Sequence, residues 1–450
     1  MSEKLANDAV VDRAIASING LRVDGGEVFL RDGQSTSVEV RDGEVENAIT
    51  RGERGIGVRV LRGGHVGFAY TSDLSPAGIE QCVTSARDIA SVTEPDPDVS
   101  IATRKIDSPD LKLYEEGIDD RSVAQRTTVA LTVERAAKSV DPRISGFRKT
   151  TYSDGSLTTV VATTAEVRGS YRETYFSVGT SAVATDGDER QIGYHGQAKR
   201  QFGLIDPESV GRVAAERAVG KLGARSFKTQ KLPIVLDPFM GMSLLGALVP
   251  LFSADAVLKG KSLFAGKIGA AIASDQVTIV DDARTPGALR TAPFDGEGVA
   301  TTTRTLVDGG VLRGYLSSLK TAKKMAQPPS GNARRGSYAA PSRIGAANFH
   351  LAPGATGPLE LVRGLDRSLR ITSLLNLHTI DPISGEFSLG ATGDYLEQGE
   401  RMYAVQGITI AGNLTSLLSS ITGVANDLLF GSSGIGSPTF VISELSIGGA

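Results

Sequence analysis

The sequence predicts an α+β fold, with an N-terminal antiparallel sheet that carries helices and a C-terminal domain that is largely β. Helical periodicity is confined to a few segments, and blocks of short alternating strands separate them. The 53 glycines are spread along the chain without a repeat, which is typical of turns between many short strands. With 450 residues, the chain is long enough for two or three domains that each have a core.

The first elements are predicted to be a helix over about residues 4–18 and then an antiparallel meander of strands. Apolar and polar residues alternate in the strands, as expected of a sheet with one face in water. The apolar positions of the helix recur every three or four residues, at Leu5, Val11, Ala14, Ile15 and Ile18. The predicted turns of the meander are Asp32-Gly33, Asp42-Gly43 and Gly63-Gly64.

Three further helices are predicted in the N-terminal half. Ser75 and Pro76 begin one, Ser122 begins a second with a capping box, and Asp206-Pro207-Glu208 begins a third that ends at Gly223. Residues 143–203, between the second and third, are rich in Thr, Val, Tyr and Ser and predict strands. The buried face of the helix after Pro76 is expected to hold Ile79, Cys82, Val83, Ala86 and Ile89.

A short polar segment, residues 228–231, is the predicted domain boundary, so that residues 1–228 form the N-terminal α+β domain and residues 229–450 the β-rich one. The second domain is expected to begin with a strand and a buried helix. A strand at 277–281, a hairpin about residues 308–310 and a helix near 414–422 are expected to follow. A Pro-, Gly- and Ser-rich loop at 327–342 is long enough to indicate a function.

Charge and composition exclude several classes of protein. The net charge of −3, without a long run of either sign, is unlike the basic surface of a nucleic-acid-binding protein. Cys82 is the single cysteine, so there is no internal disulfide, and its apolar setting predicts a buried, inert thiol. The N-terminus lacks the apolar core of a secretion signal, and the most apolar stretch, residues 240–251, is too short to span a bilayer. We therefore expect a cytoplasmic protein without a nucleic-acid or membrane partner.

Glycine-rich segments in three parts of the chain carry a resemblance to a known family. Near the front these are residues 53–60 and 65–75, in the middle Ala254-Asp-Ala-Val-Leu-Lys-Gly-Lys-Ser262 with residues 278–282, and near the end Ser384-Gly-Glu-Phe-Ser-Leu-Gly390 with residues 408–414, 424–427 and 447–449. In this order and spacing they resemble the TldD/TldE (PmbA) metallopeptidase family over almost the whole chain.

The resemblance implies a heterodimer in which a TldD-type subunit binds a catalytic zinc. In that subunit a helix reading His-Glu-x-x-x-His, followed by a Glu, precedes the Ala-Asp-Ala-Val segment, and the metal lowers the pKa of its bound water to about 7. Counting back from Ala254, the two His positions fall on Leu245 and Pro250, the general-base Glu on Gly246 and the later Glu on Ser253. No His or Glu occurs between Gln230 and Gln276, and the family's later Cys ligand has no counterpart.

These replacements resemble the TldE (PmbA)-type subunit, which lacks the zinc motif. They predict that this chain has no catalytic residue and no metal ligand of its own, and that zinc is bound by a TldD-like partner. The segment from Ala254 to Ser262 is more TldD-like than expected of a housekeeping TldE. It leaves open a specialised paralogue of the kind found in natural-product gene clusters.

Asn332, Arg334 and Arg335, in the long loop, are the predicted substrate-binding or interface residues. They stand in a segment resembling the family's Gly-Asn-x-Arg-Arg, and adjacent arginines are suited to bind a substrate carboxylate or the partner subunit. A solvated loop is the alternative. Two acidic pairs have the composition of a cation site but are more often turn residues: Asp281-Asp282 and Asp295/Glu297. The four histidines lack metal-ligand spacing: His65, His195, His350 and His378.

Three functions remain open from the sequence. The first is a non-catalytic subunit of a heterodimeric TldD/TldE-like zinc metallopeptidase that processes unfolded or short peptides. The second is the same subunit in a specialised amidohydrolase that acts on a small-molecule or modified-peptide conjugate in natural-product biosynthesis. The third is a regulatory binding module without an enzymatic role.

Overall fold

The computed structural model describes residues 3–107 and 109–449, with side chains from residue 6 onward, so the side chain of Leu5 lies outside the described part. The predicted α+β class is confirmed, since an antiparallel sheet with helices precedes a β-rich region that contains a barrel-like sheet. The predicted boundary at residues 228/229 falls between the last helix of the first region and the first strand of the second. No helix within the described ranges is long and apolar enough to cross a membrane.

The N-terminal region is a six-stranded antiparallel sheet with four helices. Strand order is β3-β2-β1-β4-β5-β6. The strands are β1 (Gly25–Arg41), β2 (Glu44–Arg62), β3 (His65–Thr71), β4 (Ile144–Thr163), β5 (Arg168–Asp186) and β6 (Glu189–Lys199). The helices are α1 (Glu3–Asn19), α2 (Pro76–Ala90), α3 (Val123–Lys138) and α4 (Pro207–Val219), with 3-10 turns at Ile118–Asp120 and Phe202–Leu204.

The alternation of side chains along β1 separates the two faces of this sheet. Val28 and Leu30 lie in the core shared with α1 and α2. Phe29, between them, packs instead against Phe294 of the C-terminal region. Because successive residues of a strand point to opposite faces, Glu27, Phe29 and Arg31 share the face that is turned away from the helices. That face supports the site described below.

A closed five-stranded barrel and a second sheet form the C-terminal region. The barrel order is β16-β15-β14-β7-β20, and β20 pairs back to β16 and also carries β17. The second sheet has the order β10-β9-β8-β13-β19-β18, and β11 pairs with β12 alone. The strands are β7 (Gln230–Leu236), β8 (Ile279–Asp282), β9 (Thr303–Asp308), β10 (Val311–Leu312), β11 (Ala333–Arg334), β12 (Arg343–Ile344), β13 (Phe349–Leu351), β14 (Arg367–Leu375), β15 (Glu386–Glu397), β16 (Glu400–Asn413), β17 (Ile421–Val424), β18 (Leu429–Phe430), β19 (Ile435–Ser437) and β20 (Phe440–Gly448).

The predicted buried helix of this region joins the barrel to the second sheet. The helices are α5 (Pro238–Leu248), α6 (Ala254–Leu258), α7 (Leu319–Lys324), α8 (Pro358–Arg363) and α9 (Leu414–Ser419), with 3-10 turns at Val249–Phe252 and Leu377–Thr379. Asp237 caps α5 by accepting a hydrogen bond from the Met240 amide. Leu248 and Phe252 are fully buried, and α5 contacts β19 and β14. Its apolar surface therefore belongs to a single core cluster with both sheets.

Several local predictions were wrong. Asp32-Gly33 is not a turn but the middle of β1, where both neighbouring strands pair with it. A Cβ on Gly33 would lie 2.4 Å from the Ser156 carbonyl oxygen, so this glycine permits a close approach of backbones rather than a reversal. In α2, Ile89 is 39% exposed because Ala90 takes the buried position. The helix predicted to end at Gly223, α4, ends at Val219.

Candidate functional site

The predicted site loop lies against the face of the first sheet that is turned away from the helices. We call residues 327–346 the arginine loop. Its short hairpin pairs Ala333 with Ile344 and Arg334 with Arg343. Tyr338 covers β2 so closely that a Cβ on Gly55 would lie 2.5 Å from the tyrosine ring. The loop is therefore packed between the two regions of the chain, and the solvated-loop alternative does not describe its hairpin.

Asn332 attaches the arginine loop to β8. Its side chain is 2% exposed and donates hydrogen bonds to Asp281 Oδ2 at 2.7 Å and to the Gly345 carbonyl at 3.2 Å. The other oxygen of Asp281 accepts from the Ala347 amide at 2.7 Å. Burial raises the pKa of Asp281 above its usual range, although the charge of Arg334 opposes that shift. Asn332 thus holds the loop in position through a buried carboxyl group.

The acidic pair Asp295 and Glu297 holds the same loop from its other side. Asp295 accepts hydrogen bonds from the amides of Ala333, Glu297 and Val299 at 2.9 to 3.0 Å. Glu297 accepts from the Leu319 amide at 2.9 Å and from the Ser342 hydroxyl at 2.8 Å. Burial, followed by repulsion from Glu297, raises the pKa of Asp295 to about 7. Ala333 and Ser342 belong to the arginine loop and the other donors are backbone amides outside it, so these oxygens are occupied and the pair holds the loop rather than a cation.

Arg335 is a buried link between the loop and β1. Its guanidinium forms an ion pair with Glu27, its Nε donates to the Gly296 carbonyl at 2.8 Å, and it lies 4.8 Å from the ring centre of Phe29. The side chains of Arg335 and Glu27 are 1% and 0% exposed. Arg59 also binds Glu27, at 2.7 Å. Burial raises the pKa of Glu27, but the charges of the two arginines outweigh it, so the pKa lies below its usual value.

Arg334 has a different environment from its neighbour. It lines a cavity of about 160 Å³ between the first sheet and the C-terminal loops. Its Nε and Nη2 are buried without a hydrogen-bond partner among the described residues. Of the three predicted residues, Asn332 and Arg335 therefore fix the loop. Arg334 has two unpaired nitrogens, and Arg335 keeps one, Nη1, that is likewise buried without a partner among the described residues.

Three arginines distant in sequence line the same cavity: Arg31 of β1, Arg200 after β6, and Arg290 after β8. Arg200 is committed to Glu173 at 2.6 Å and to backbone carbonyls. Arg31 donates to the Gly336 carbonyl through Nη1 at 2.5 Å, but its buried Nε has no partner among the described residues. Burial and then the charge of Arg334 lower the pKa of Arg290. Sequence reasoning missed this cluster because its members come together only when the two regions pack.

The four positions that correspond to zinc-motif residues do not fit a zinc ion. Leu245 is 3% exposed and lies in the apolar core, Gly246 has no side chain, and Pro250 lies in a 3-10 turn. Ser253 precedes α6. Within residues 3–107 and 109–449 there is no group of three His, Cys, Asp or Glu side chains placed to hold a metal.

Comparison with known proteins gives the same family over consecutive parts of the chain. Models described as PmbA/TldA metallopeptidase domain 1, central domain and C-terminal domain match residues 26–90, 116–222 and 229–449. Metalloprotease PmbA of Escherichia coli is 28% identical over 435 residues, which cover 95% of this chain and 94% of the relative. A metalloprotease TldD homologue of Haemophilus influenzae is 25% identical, and the match covers 95% of this chain and 93% of the homologue.

A solved structure has the same architecture over its full length. The crystal structure of a Thermotoga maritima protein, put forward as a modulator of a DNA gyrase, is 26% identical and superposes with a TM-score of 0.90. The match covers 98% of this chain and 99% of that one. The arrangement of sheet, barrel and loops is therefore a shared one.

Proposed function

This chain belongs to the PmbA/TldD metallopeptidase family, and from that membership we propose that it is the non-catalytic subunit of a heterodimeric zinc metallopeptidase. The subunit would complete the channel for unfolded or short peptides, and a TldD-like homologue would carry the zinc. The observation that carries this proposal is the replacement of both His positions and the general base by Leu245, Pro250 and Gly246. Imidazole ligands and a carboxylate base are what zinc hydrolysis requires, and these residues offer neither.

Exposed apolar side chains on edge strands support a partner subunit. Tyr70 of β3 is 58% exposed, Tyr194 of β6 is 62% exposed and Phe430 of β18 is 40% exposed. All three strands stand at the ends of their sheets. Sheet edges and apolar patches are sites at which proteins associate, and a lasting heterodimer would bury more than about 2,000 Å².

The test is co-expression of this chain, tagged, with a homologue that contains His-Glu-x-x-x-His. We expect a stable complex with zinc in the partner only, and peptide hydrolysis that disappears when the partner's Glu is replaced by Gln. The chain purified alone is expected to hold no stoichiometric zinc and to hydrolyse no peptide. About one tightly bound zinc per chain, or chelator-sensitive activity in a preparation free of homologues, would contradict the proposal. So would failure to retain the homologue.

The TldD-like segment from Ala254 to Ser262 favours a second candidate, the same subunit in an amidohydrolase for modified-peptide or small-molecule conjugates. A panel of unfolded peptides and amide conjugates, assayed with the assembled complex, separates the two. Preference for peptides supports the first candidate and preference for conjugates the second. Binding to an unrelated protein, without a zinc-bearing homologue, would instead support a regulatory module.

A further inference from the structure

We propose that the cavity lined by Arg334, Arg290 and Arg31 binds the C-terminal carboxylate of a short peptide. The proposal concerns a cavity whose lining residues come from this chain. It goes beyond the subunit role and does not require a zinc-bearing partner. The test below therefore distinguishes its failure from failure of the proposed function.

Unused donors are the first argument. Arg334 Nε and Nη2, Arg31 Nε and Arg335 Nη1 are buried and have no hydrogen-bond partner in the described part of the chain. The Arg335 side chain that supplies the last of these is 1% exposed. Leaving a buried donor unpaired is destabilising, and more so for a charged group. A cavity with several such nitrogens is a site that an acceptor anion stabilises.

The charge around the cavity is the second argument. Arg335 is balanced by Glu27, and Arg200 by Glu173 at 2.6 Å. Arg334 and Arg290, by contrast, have no carboxylate within ion-pair distance among the described residues, although Arg290 donates to the Ser433 carbonyl. Arg31 pairs with Glu53 at 3.7 Å. Arg334 and Arg290 are therefore the two cavity arginines without a direct ion pair in the described chain, and they interact with Asp281 and Glu173 only at longer range. Arg290 is exposed over part of its surface, although its guanidinium is desolvated, so the cavity reaches solvent at that side.

The apolar part of the lining favours an organic carboxylate over inorganic phosphate. A guanidinium fork binds either anion in a bidentate manner, so the fork alone does not separate them. Rings of Phe29, Tyr171 and Phe294 form an apolar wall on one part of the lining. The volume of about 160 Å³ is close to that of an apolar cavity of roughly 150 Å³ that accepts benzene. One terminal residue with an apolar side chain fits these features.

The experiment measures binding of acetyl-Ala-Phe to the full purified chain by titration calorimetry. The C-terminal amide of the same peptide, and sodium phosphate, are the comparison ligands. We expect the free carboxylate to bind at least about tenfold more tightly than the amide, since a hydrogen bond to a charged group contributes roughly 1.5–3 kcal/mol. Arg334→Gln should weaken binding of the free-acid peptide by a similar factor and leave the affinity for the amide unchanged.

Arg313→Gln is the matched control, because Arg313, which follows β10, is 50% exposed and forms an ion pair with Asp308 at the end of β9, away from the cavity lining. If Arg334→Gln does not fold, Arg290→Gln tests the same charge. Equal affinity for acid and amide would overturn the proposal. Unchanged affinity in the arginine variants, or phosphate binding as tight as the peptide, would overturn it as well.

Discussion

Replacing Glu27 by Gln tests whether one buried carboxylate joins the two regions of the chain. Glu27 lies on β1 and is 0% exposed. It binds Arg59 of β2 and Arg335 of the arginine loop. Glutamine keeps the shape and can accept one hydrogen bond, but it removes the carboxylate that both buried guanidinium groups bind directly. Removing one partner of a buried ion pair typically costs about 3–5 kcal/mol. We expect the lower end, about 3 kcal/mol, because the glutamine oxygen remains an acceptor.

Urea unfolding at neutral pH measures the change, read as a shift of the midpoint with an unchanged slope. Glu444→Gln is the control, since Glu444 pairs with Lys231 while 55% exposed, and exposed pairs contribute about 0–1 kcal/mol. Hydrogen exchange should increase in the arginine loop of the Glu27 variant and not in the control. Equal effects of the two substitutions would refute the view that Glu27 holds the loop.

The same substitution has a defined dependence on pH. The pKa of Glu27 is lowered in the folded chain, so the unfolded chain takes up its proton first as the pH falls. The stabilising contribution is therefore complete above the ordinary glutamate pKa of about 4.3 and is lost as the pH falls through the lower folded value. The difference between wild type and variant should be constant near neutrality and shrink in acid.

Three further substitutions have expected outcomes. Burial and nearby arginine charge lower the pKa of His195 to about 4. Its protonation on unfolding therefore makes the chain less stable as the pH falls from about 6.5 to 4. In His195→Gln, the free energy of unfolding should no longer show this loss, which amounts to at most about 3 kcal/mol. Gly67→Ala places a Cβ 1.7 Å from the Ala86 carbonyl and should cost more than about 2 kcal/mol, whereas Gly314→Ala, which meets nothing within 4 Å, should be nearly neutral in the same denaturation assay. Phe252→Ala, at a fully buried position, should cost about 3–5 kcal/mol, and an effect below about 1 kcal/mol would contradict its place in the core.

Local sequence signals predicted most helices and many turns correctly. Ser75 and Ser122 accept hydrogen bonds at the starts of α2 and α3, as their positions before Pro76 and Gln125 predicted. Cys82 is buried, and burial raises the pKa of its thiol to about 11, which agrees with an inert cysteine. These features depend on residues within one or two turns of each other, so a single sequence contains them.

Contacts between distant segments decided the site. The sequence by itself identified the family, the α+β class and the loop with Asn332, Arg334 and Arg335. Only the tertiary structure gave the adjacent arginines different environments, because Arg335 meets Glu27, 308 positions away, while Arg334 faces the cavity with Arg31 and Arg290. Burial and pairing of a charge depend on what packs against it, and no local pattern carries that information.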